Sequence, residues 1–400
     1  MSLMSYALAL KNLMDGITAI NTTENVALQQ AHGRILSQDL IAQADAPRFD
    51  NSAMDGYAIC GLARQTWQLT DYVAAGEATQ HIRLQPGQAV RILTGAAVPQ
   101  GTEAVIAQED IQLEANQICH AGPVKARQHI RFQAEEYAQG HVLYNADQAI
   151  NAAVVGVAAS QGMTHLSCYK KIKITVFSSG NELQPIGAVL TENQIYDSNL
   201  YMLLSCLEQK YYTVIDGGIL LDQVEFITEK LKVAASESDV VIISGGASVG
   251  DKDLTKVCLA QLGEMQHWKL AIKPGKPFAW GKIQQAKIFL LPGNPVASWV
   301  TFHILVAPAL NKLAGININQ ALPQQVQAQA RFTLHAKQGR QQFLRGTISS
   351  ENGQLYADIH AHQGSAMLAN CALSNAFIIV PAQATVQQGQ SIQAIYLPLV

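Results

Sequence analysis

The amino-acid sequence predicts a multidomain α/β plus β fold, in which a central doubly wound α/β domain lies between a mixed, β-rich N-terminal region and a small C-terminal β-barrel. Three observations predict it. A chain of 400 residues is too long for one hydrophobic core. Strand-like and helix-like segments alternate through its middle, and a Gln-rich, strand-like stretch follows them. We assign the three regions to residues 1–168, 169–318 and 319–400.

Composition narrows the functional class. Hydrophobic residues make up 48% of the chain, charged residues make up 14%, and the net charge is −3. These values are typical of a well-packed globular protein and differ from the basic surface of a general nucleic-acid binder. Six scattered cysteines form neither a C-x-x-C pair nor a cluster with zinc spacing. We therefore expect no nucleic-acid partner, and buried free thiols in a reducing compartment.

The N-terminal region predicts two subdomains, one helical and β and the other β-rich. The spacing of Leu8, Leu13 and Ile17 predicts an amphipathic first helix, without the basic start of a signal peptide. No run of about 18 uncharged apolar residues occurs, so we expect a cytoplasmic protein without a membrane span. Short β-rich pieces follow, and residues 150–162 predict a buried helix of small residues that ends at Gly162.

The middle region contains four strand–helix units, which together predict a parallel sheet covered on both faces. Asp197 or Ser198 is available as the N-cap of the first helix. Residues 267–283 predict two extended arms around a Pro-Gly turn. The C-terminal strands predict a small barrel or sandwich. The predicted strands of the middle region are 171–180, 211–220, 239–246 and 288–295, and its helices are 197–210, 222–238, 253–263 and 296–310.

Loops at the carboxyl ends of the four predicted parallel strands are the expected ligand site, because open α/β sheets bind ligands there. These loops combine small residues, which let backbone approach a ligand, with carboxylates. The alternative interpretation is that each glycine makes a turn and each acid caps a helix. The four loops are 178–183, 217–222, 244–253 and 291–298, and their acids are Glu182, Asp222, Asp251 and Asp253.

The stretch "VVIISGGASVGDKD" (240–253) places acids directly after a glycine turn. A glycine turn that enters a helix offers backbone N–H groups to an anion, yet carboxylates repel a phosphate. A divalent cation between them resolves the conflict, because Mg²⁺ binds carboxylate and phosphate oxygens together. Asp253 opens a helix and is the stronger candidate, whereas Asp251 could point elsewhere.

Three lysines near one turn supply the opposite charge. Lys269 and Lys273 would share one face of a strand, and Pro274-Gly275 would direct Lys276 forward. Such a set suits an anion with several oxygens, although a lysine-bearing hairpin is also common as a solvated rim.

Two further loops are polar candidates. In "LPGNPVAS", Pro292 and Pro295 stiffen a turn on which Asn294 offers a donor and an acceptor, and a purely structural turn is the alternative. The loop 50–58, "DNSAMDGYA", gathers four polar residues including Asp55. No Ser-His-Asp elbow, Walker A motif or H-E-x-x-H motif occurs.

Taken together, eight stretches resemble the MoeA family, the molybdopterin molybdenumtransferases that include the E domain of gephyrin and its plant counterpart. Their order and spacing cover roughly residues 5–400, and the set is specific although no single stretch is decisive. They are "FDNSAMDGYA", "RILTGAAVPQGTEAVIAQED", "SSGNEL", "IYDSNL", "ISGGASVGDKD", "KLAIKPGKP", "LPGNPVAS" and "HQGSAML".

The resemblance implies an activity. A family member binds adenylylated molybdopterin, inserts molybdate at the dithiolene and releases AMP in a metal-dependent cleavage, with Mg²⁺ as the expected ion. It also implies a homodimer of four-domain subunits with the site at the dimer interface. A molybdopterin-adenylylating enzyme and downstream molybdoenzyme maturation proteins are the further expected partners.

The resemblance also implies site residues by motif. The expected catalytic residues are Asp55, Glu182, Asp222, Asp253, Lys269 and Lys273, and the expected metal ligands are Asp253, Glu182 and Asp222. The expected substrate-binding residues are Thr94, Glu136, Ser248, Gly250, Asp251, Lys276, Pro277, Pro292, Asn294, Pro295, Arg345 and Ser365. Lys273, Lys276, Pro277, Arg345 and Ser365 would line the molybdate pocket, and Asp55 would reach over the partner's middle domain.

The sequence differs from the usual family motifs at two places, and three alternative functions remain open. Ala134-Glu135-Glu136 stands where the family often has Gly-Glu-Asp, and Ala247 stands where valine is common. The first rival is an enzyme that adenylylates molybdopterin, which would need only the middle domain. The second is a non-catalytic scaffold of the same fold, and the third is a different phosphoanhydride hydrolase. The long N-terminal region and the C-terminal β-domain argue against the first.

Overall fold

A computed structural model describes residues 3–247, 254–336 and 339–397. The chain forms two compact units. The first contains Met1–Gln38, Ala146–Val155 and Thr164–Val400, and the second contains Asp39–Asn145 and Gly156–Met163. The boundaries of the three regions assigned from the sequence stay a prediction.

The second unit is built on a six-stranded sheet with the order β7-β4-β6-β5-β9-β8. Apolar side chains cover both of its faces, with Val90 and Val105 on one and Trp67 and Ile106 on the other. The small strands and hairpins expected in this part of the chain are therefore present. Its strands are β2 (Leu40–Ile41), β3 (Asn51–Ser52), β4 (Gly56–Ile59), β5 (Thr66–Val73), β6 (Gln88–Ile92), β7 (Ala104–Ala107), β8 (Gln112–Glu114), β9 (Gln117–Cys119), β10 (Ile130–Arg131) and β11 (Val142–Tyr144).

Both helices predicted in the N-terminal third form, but they are buried to different extents. Helix α1 (Tyr6–Gly16) begins where the Ser5 side chain accepts a hydrogen bond from the Leu8 N–H. Leu13 and Ile17 are buried as expected, but Leu8, which was predicted on the same apolar face, is 48% exposed. Helix α2 (Ala152–Ser160) forms, but only Val154 and Ala158 within it are buried. The prediction of a buried helix is wrong there, because small apolar residues on all sides do not by themselves bring packing partners. In the first unit, β1 (Thr23–Ala27) pairs with β12 (His165–Tyr169).

The central sheet has the order β16-β13-β17-β21-β20-β18. Its first four strands are parallel, as predicted, and the other two form an antiparallel edge from the two extended arms, with Lys269 opposite Pro277. The continuous apolar run of β17 is buried at all five positions, as a strand covered on both faces requires. The strands of this sheet are β13 (Ile172–Ser179), β16 (Tyr212–Leu220), β17 (Val240–Ser244), β18 (Glu264–Lys269), β20 (Pro277–Ile283) and β21 (Ala286–Leu291). Outside it, β14 (Leu183–Gln184) pairs with β15 (Ile195–Tyr196), and β19 (Ile272–Lys273) pairs with a strand of the C-terminal part.

Helices cover both faces of this sheet. Asp197, one of the two candidate caps, accepts a hydrogen bond from the Leu200 N–H at the start of α3. One helical stretch, Pro295–Leu313, is long and apolar enough to cross a membrane, and 72% of it is buried inside the protein, as in a core helix. The helices are α3 (Ser198–Cys206), α4 (Val224–Glu237), α5 (Leu254–Leu262), α6 (Pro295–Thr301), α7 (Ala307–Leu313) and α8 (Ile318–Ala321), with a π-helical turn (Phe302–Val306) between α6 and α7.

The C-terminal part closes into a five-stranded barrel in the order β24-β25-β22-β28-β26, because β26 also pairs with β24. The predicted barrel is confirmed. The short β19 of the middle region adds to β24, with Ile272 opposite Gln341. The barrel elements are β22 (Gln325–Ala330), β23 (Leu334–His335), β24 (Gln341–Glu351), β25 (Gln354–Ile359), α9 (Ala369–Ala372), β26 (Ala376–Val380), β27 (Thr385–Val386) and β28 (Ser391–Tyr396).

Candidate functional site

A cleft of about 1070 Å³ opens at the carboxyl ends of β13, β17 and β21. Ser179, Ser244 and Pro292 line it at the ends of these three strands. Strand β13 lies between β16 and β17, so consecutive strands of the chain run to opposite sides of it. Doubly wound sheets bind ligands in a crevice at such a reversal. The cleft therefore lies at the edge of the sheet where the sequence predicts a ligand site.

The cleft floor requires glycine where two strand ends meet. Gly245 has φ +98, and a Cβ atom there would lie 2.3 Å from the backbone oxygen of Ser179. Gly293 lies next to Gly245 in space, because a Cβ atom at Gly293 would stand 3.6 Å from the Gly245 Cα. Only backbone fits between the ends of β13 and β17 at Gly245, so a side chain there would disturb the strand ends that carry Ser179 and Ser244 to the cleft.

Buried polar side chains that were not among the predicted site residues lie beneath these strand ends. The Asn199 amide donates to Ser244 Oγ (2.8 Å) and to the Gly293 carbonyl (2.7 Å). Asp197 accepts from Ser178 Oγ (2.9 Å) as well as from its cap partner. Both Asp197 and Asn199 line the cleft. The signal was present in "IYDSNL", where the acid was interpreted only as a helix cap.

Two of the predicted carboxylates lie on neighbouring loops. Glu182 lines the cleft, and its carboxylate folds over Gly180, within 2.5 Å of where a Cβ atom would stand. The Asp222 N–H donates to Asn181 Oδ1 at 3.1 Å, which ties the loop after β16 to the loop that carries Glu182. Asp222 does not cap α4, whose N-cap is Gln223 without a side-chain hydrogen bond. Within the described ranges, neither carboxylate accepts a hydrogen bond, so both are available to a ligand.

The remaining predicted residues of the glycine turn lie outside the described residues. In the part of the chain that the structure describes, no three His, Cys, Asp or Glu side chains form a group that could hold a metal ion. Glu182 and Asp222 supply the hard oxygen donors that Mg²⁺ prefers, but they are two and not three. The residues outside the described part are Ser248, Gly250, Asp251 and Asp253.

The structure separates the three lysines. Lys273 and Lys276 line the cleft, as expected, together with Pro277. Lys269 does not line it, and the prediction that Lys269 and Lys273 share one strand face is wrong. Lys269 ends β18 of the central sheet, whereas Lys273 belongs to β19, which pairs with the barrel strand β24. The chain leaves one sheet for another between them, so the alternation of a single strand does not apply.

The loop 291–298 and the C-terminal part meet at the cleft. Asn294 Nδ2 donates to Ser365 Oγ at 3.4 Å, and the Val296 N–H donates to the Ser365 carbonyl at 3.2 Å. Pro292, Asn294, Pro295 and Ser365 all line the cleft as predicted. The barrel therefore supplies one wall.

Arg345 is placed differently from the prediction. Its side chain is completely buried and does not line the cleft. One guanidinium nitrogen donates to the carbonyls of His362 (3.3 Å) and Gly364 (3.1 Å), so Arg345 supports the loop that carries Ser365. Burial lowers the pKa of this guanidinium. Arg340, which was not a predicted site residue, lines the cleft instead.

In the second unit, Asp55 and Thr94 form a pair. The Thr94 N–H and hydroxyl each donate to Asp55 Oδ1 at 2.7 Å. These two hydrogen bonds, the backbone one first, hold the pKa of the exposed Asp55 carboxyl below its ordinary value. The two motifs "DNSAMDGYA" and "RILTGA" thus meet in space. Glu136 is exposed, and its backbone N–H donates to the Ala46 carbonyl at 2.9 Å.

Comparisons with known proteins cover nearly the whole chain. Three family models match: "MoeA N-terminal region (domain I and II)" at residues 4–162, "Probable molybdopterin binding domain" at 175–312 and "MoeA C-terminal region (domain IV)" at 327–397. A Haemophilus influenzae protein named molybdopterin molybdenumtransferase is 40% identical over 366 residues, which is 90% of this chain and 89% of that protein. A Nostoc protein of the same name is 34% identical over 97% of this chain and 92% of its own length.

Solved structures agree with the sequence relatives. The crystal structure of the molybdopterin biosynthesis MoeA protein from Pyrococcus horikoshii OT3 matches with a TM-score of 0.85 and 28% identity, over 99% of this chain and 100% of that one. The fold and the cleft therefore define a multidomain protein built around a molybdopterin-binding type of α/β domain. The chain belongs to the MoeA family.

Proposed function

We propose that this chain is a molybdopterin molybdenumtransferase, an enzyme of molybdenum cofactor biosynthesis. It transfers molybdenum from molybdate to adenylylated molybdopterin and releases AMP. The observation that carries the proposal is the cleft at the strand reversal, where the cationic side chains of Lys273, Lys276 and Arg340 and the free carboxylate of Glu182 line the same space. The family membership and the names of the relatives support the same activity.

Molybdate is a dianion, and one wall of the cleft suits it. Lys273 and Lys276 bring two ammonium groups to the cleft, and Ser365 adds a hydroxyl from the barrel. Arg340 adds a guanidinium from the start of β24, where it replaces Arg345 in the predicted role. Charge-assisted hydrogen bonds from such donors orient an oxyanion and hold it next to the organic substrate. Lys269 would act from outside this wall.

The acidic wall suits a magnesium-bound phosphate. Glu182 and Asp222 have free carboxylates on adjacent loops, and Asp253 is the third proposed ligand. When bound, Mg²⁺ would supply charge neutralisation at the phosphate oxygens during release of AMP. The chain's own contribution would be to hold the phosphate, with Ser248 and Gly250 as the proposed donors and Asp251 beside them.

We further propose a cytoplasmic homodimer. Asp55 and Thr94 of one copy would complete the cleft of a second copy, and Glu136 would contribute from the same region. The ordered Asp55–Thr94 pair on an exposed loop supports a role beyond packing, because two donors fix one carboxylate. The molybdopterin-adenylylating enzyme and maturation proteins of molybdoenzymes remain the proposed partners.

The test is a coupled measurement on the full chain, with adenylylated molybdopterin, Mg²⁺ and increasing molybdate. AMP release and molybdenum content of the product are followed together. Lys276→Gln should raise the half-saturating molybdate concentration about tenfold or more, because a charge-assisted contact is lost. Lys232→Gln, on the exposed face of α4, is the matched control and should leave it unchanged.

Two outcomes would overturn the proposal. If the chain consumes ATP and molybdopterin without any dependence on molybdate, it is an adenylylating enzyme. If neither reaction occurs while partner binding persists, the chain is a scaffold of this fold. A crystal soaked in molybdate gives an independent answer, since the oxyanion should lie beside Lys273, Lys276 and Ser365.

A further inference from the structure

A second charged cleft, of about 370 Å³, lies at the amino edge of the central sheet. Four lysines from two segments of the chain line it, next to Arg34 and Glu24 from a third segment. The lysines precede or begin β13 and β16, so they lie at the strand ends opposite the candidate functional site. They are Lys170, Lys171, Lys173 and Lys210.

The charge of this cleft is not balanced by the protein. Its five cationic groups face one carboxylate, Glu24, which already forms an ion pair with Arg34. In the described residues, none of the four lysines has a carboxylate within 4.0 Å. The local excess is four positive charges on a chain whose net charge is −3. Four ammonium groups around one space repel each other, so a bound anion would stabilise the folded chain.

The base of the cleft is fixed. Arg34 is only 6% exposed, and its guanidinium also donates to the Tyr169 carbonyl at 2.8 Å. Gly33 has φ +76, and a Cβ atom there would lie 2.9 Å from Lys210 Cγ. The aliphatic part of the Lys210 side chain therefore packs against the backbone of Gly33, and this contact holds the Lys210 ammonium group at the cleft. The basic cleft is thus more than a set of freely moving surface lysines.

We propose that this cleft binds a small anion with two or three adjacent phosphate groups, such as inorganic polyphosphate or the phosphate tail of a nucleotide. A triphosphate carries close to the four negative charges that the cleft leaves unbalanced, and the volume suits a small molecule. The site is separate from the one proposed for molybdate. Strand β13 spans eight residues between the two, a rise of about 25 Å, which a small anion does not bridge.

The test is calorimetric titration of the full chain with tripolyphosphate at constant ionic strength. It is made without Mg²⁺ in the Lys273→Gln/Lys276→Gln background, which weakens anion binding at the candidate functional site, and only the difference between this background and the further variants reports the basic cleft. Lys171→Gln/Lys210→Gln should weaken binding at least about tenfold, since two charge-assisted contacts are lost. The charge-matched control Lys125→Gln/Lys232→Gln, at exposed lysines away from both clefts, should bind as the parent does. Lys171→Arg/Lys210→Arg keeps the charge and should retain binding.

Three results overturn the proposal: no detectable binding of tripolyphosphate, equal weakening in the charge-matched control, or AMP binding as tightly as ATP. The last would show that adjacent phosphates are not what the cleft recognises. ATP and tripolyphosphate binding within about threefold of each other would identify the phosphate tail as the whole ligand determinant. ATP binding at least about tenfold tighter would identify a nucleotide as the source of the phosphates. Thermal unfolding of each variant in the absence of anion shows that the fold is intact.

Discussion

The carboxyl and amino edges of the central sheet both carry a charged cleft, but the two are built from different parts of the chain. At the carboxyl edge, backbone and buried polar side chains set the shape, as with Gly245 against Ser179 and Asn199 against Gly293. At the amino edge, exposed lysines line the space and only Arg34 is buried. We therefore expect substitutions of the glycines and buried polar residues at the carboxyl edge to lower stability. Substitutions of the lysines at the amino edge should weaken anion binding instead.

The largest effect is expected for Gly245→Ala. The left-handed backbone and the contact with the Ser179 oxygen should together lower the free energy of unfolding by about 3 kcal/mol. Gly218→Ala is the matched control, because Gly218 belongs to the same sheet, has φ +77 and has nothing within 4 Å of its Cβ position. It should cost only about 1 kcal/mol. Urea unfolding measures both, and equal losses would show that the close approach is unimportant.

Asn199→Ala tests the buried polar layer beneath the cleft. Loss of the hydrogen bonds to Ser244 and Gly293 should lower the free energy of unfolding by about 2 kcal/mol, because the Ser244 hydroxyl stays buried without this partner. The neighbouring Ser198→Ala, at an exposed position of α3, should change it by less than about 0.5 kcal/mol. If the two variants are equally stable, the polar layer does not hold the strand ends.

Gln363→Ala tests the wall that the barrel contributes. The Gln363 side chain donates to the carbonyls of Arg345 and His360 and accepts from the Arg345 N–H. Its removal should cost about 1–2 kcal/mol and increase hydrogen exchange in residues 360–366. Gln327→Ala, at an exposed position of β22, is the control. Unchanged exchange in residues 360–366 would contradict a supporting role for Gln363.

The smallest effect on stability is expected at the amino edge. Lys171→Gln/Lys210→Gln should change the free energy of unfolding by less than about 0.5 kcal/mol at physiological salt. At low salt it should be slightly more stable than the parent, because repulsion among the lysines is relieved, and the gain should vanish as salt screens the charges. A clear loss of stability that does not depend on salt would show that these lysines hold the fold, and the contrast between the edges would fail.

Much of the fold could be predicted from local patterns. The apolar run of β17 predicted a strand buried on both faces, and the alternation of strands and helices predicted the four parallel strands. The acid of "IYDSNL" predicted the cap of α3. These features depend on periodicity, turn chemistry and capping, which act over a few residues and can therefore be seen in the sequence.

Which side chains meet at the cleft was only partly predictable. Glu182, Lys273, Lys276, Asn294 and Ser365 line it, and the family resemblance supplied the last of these. The resemblance also gave Arg345, but that residue is buried and Arg340 takes the open position. Arg345 lies within β24 and Arg340 directly precedes it, and only the tertiary structure shows which of the two reaches the cleft.

The sequence by itself predicted the helices and strands, the parallel pairing of four strands and the edge at which a ligand is expected, because backbone preferences and apolar periodicity are local. Only the tertiary structure showed that Lys269 and Lys273 belong to different sheets and that the Asn199 side chain connects the ends of two strands beneath the cleft. It also showed that four lysines line one cleft at the amino edge. The reason is pairing between distant segments, such as Ile272 with Gln341, whose geometry no short stretch of sequence contains.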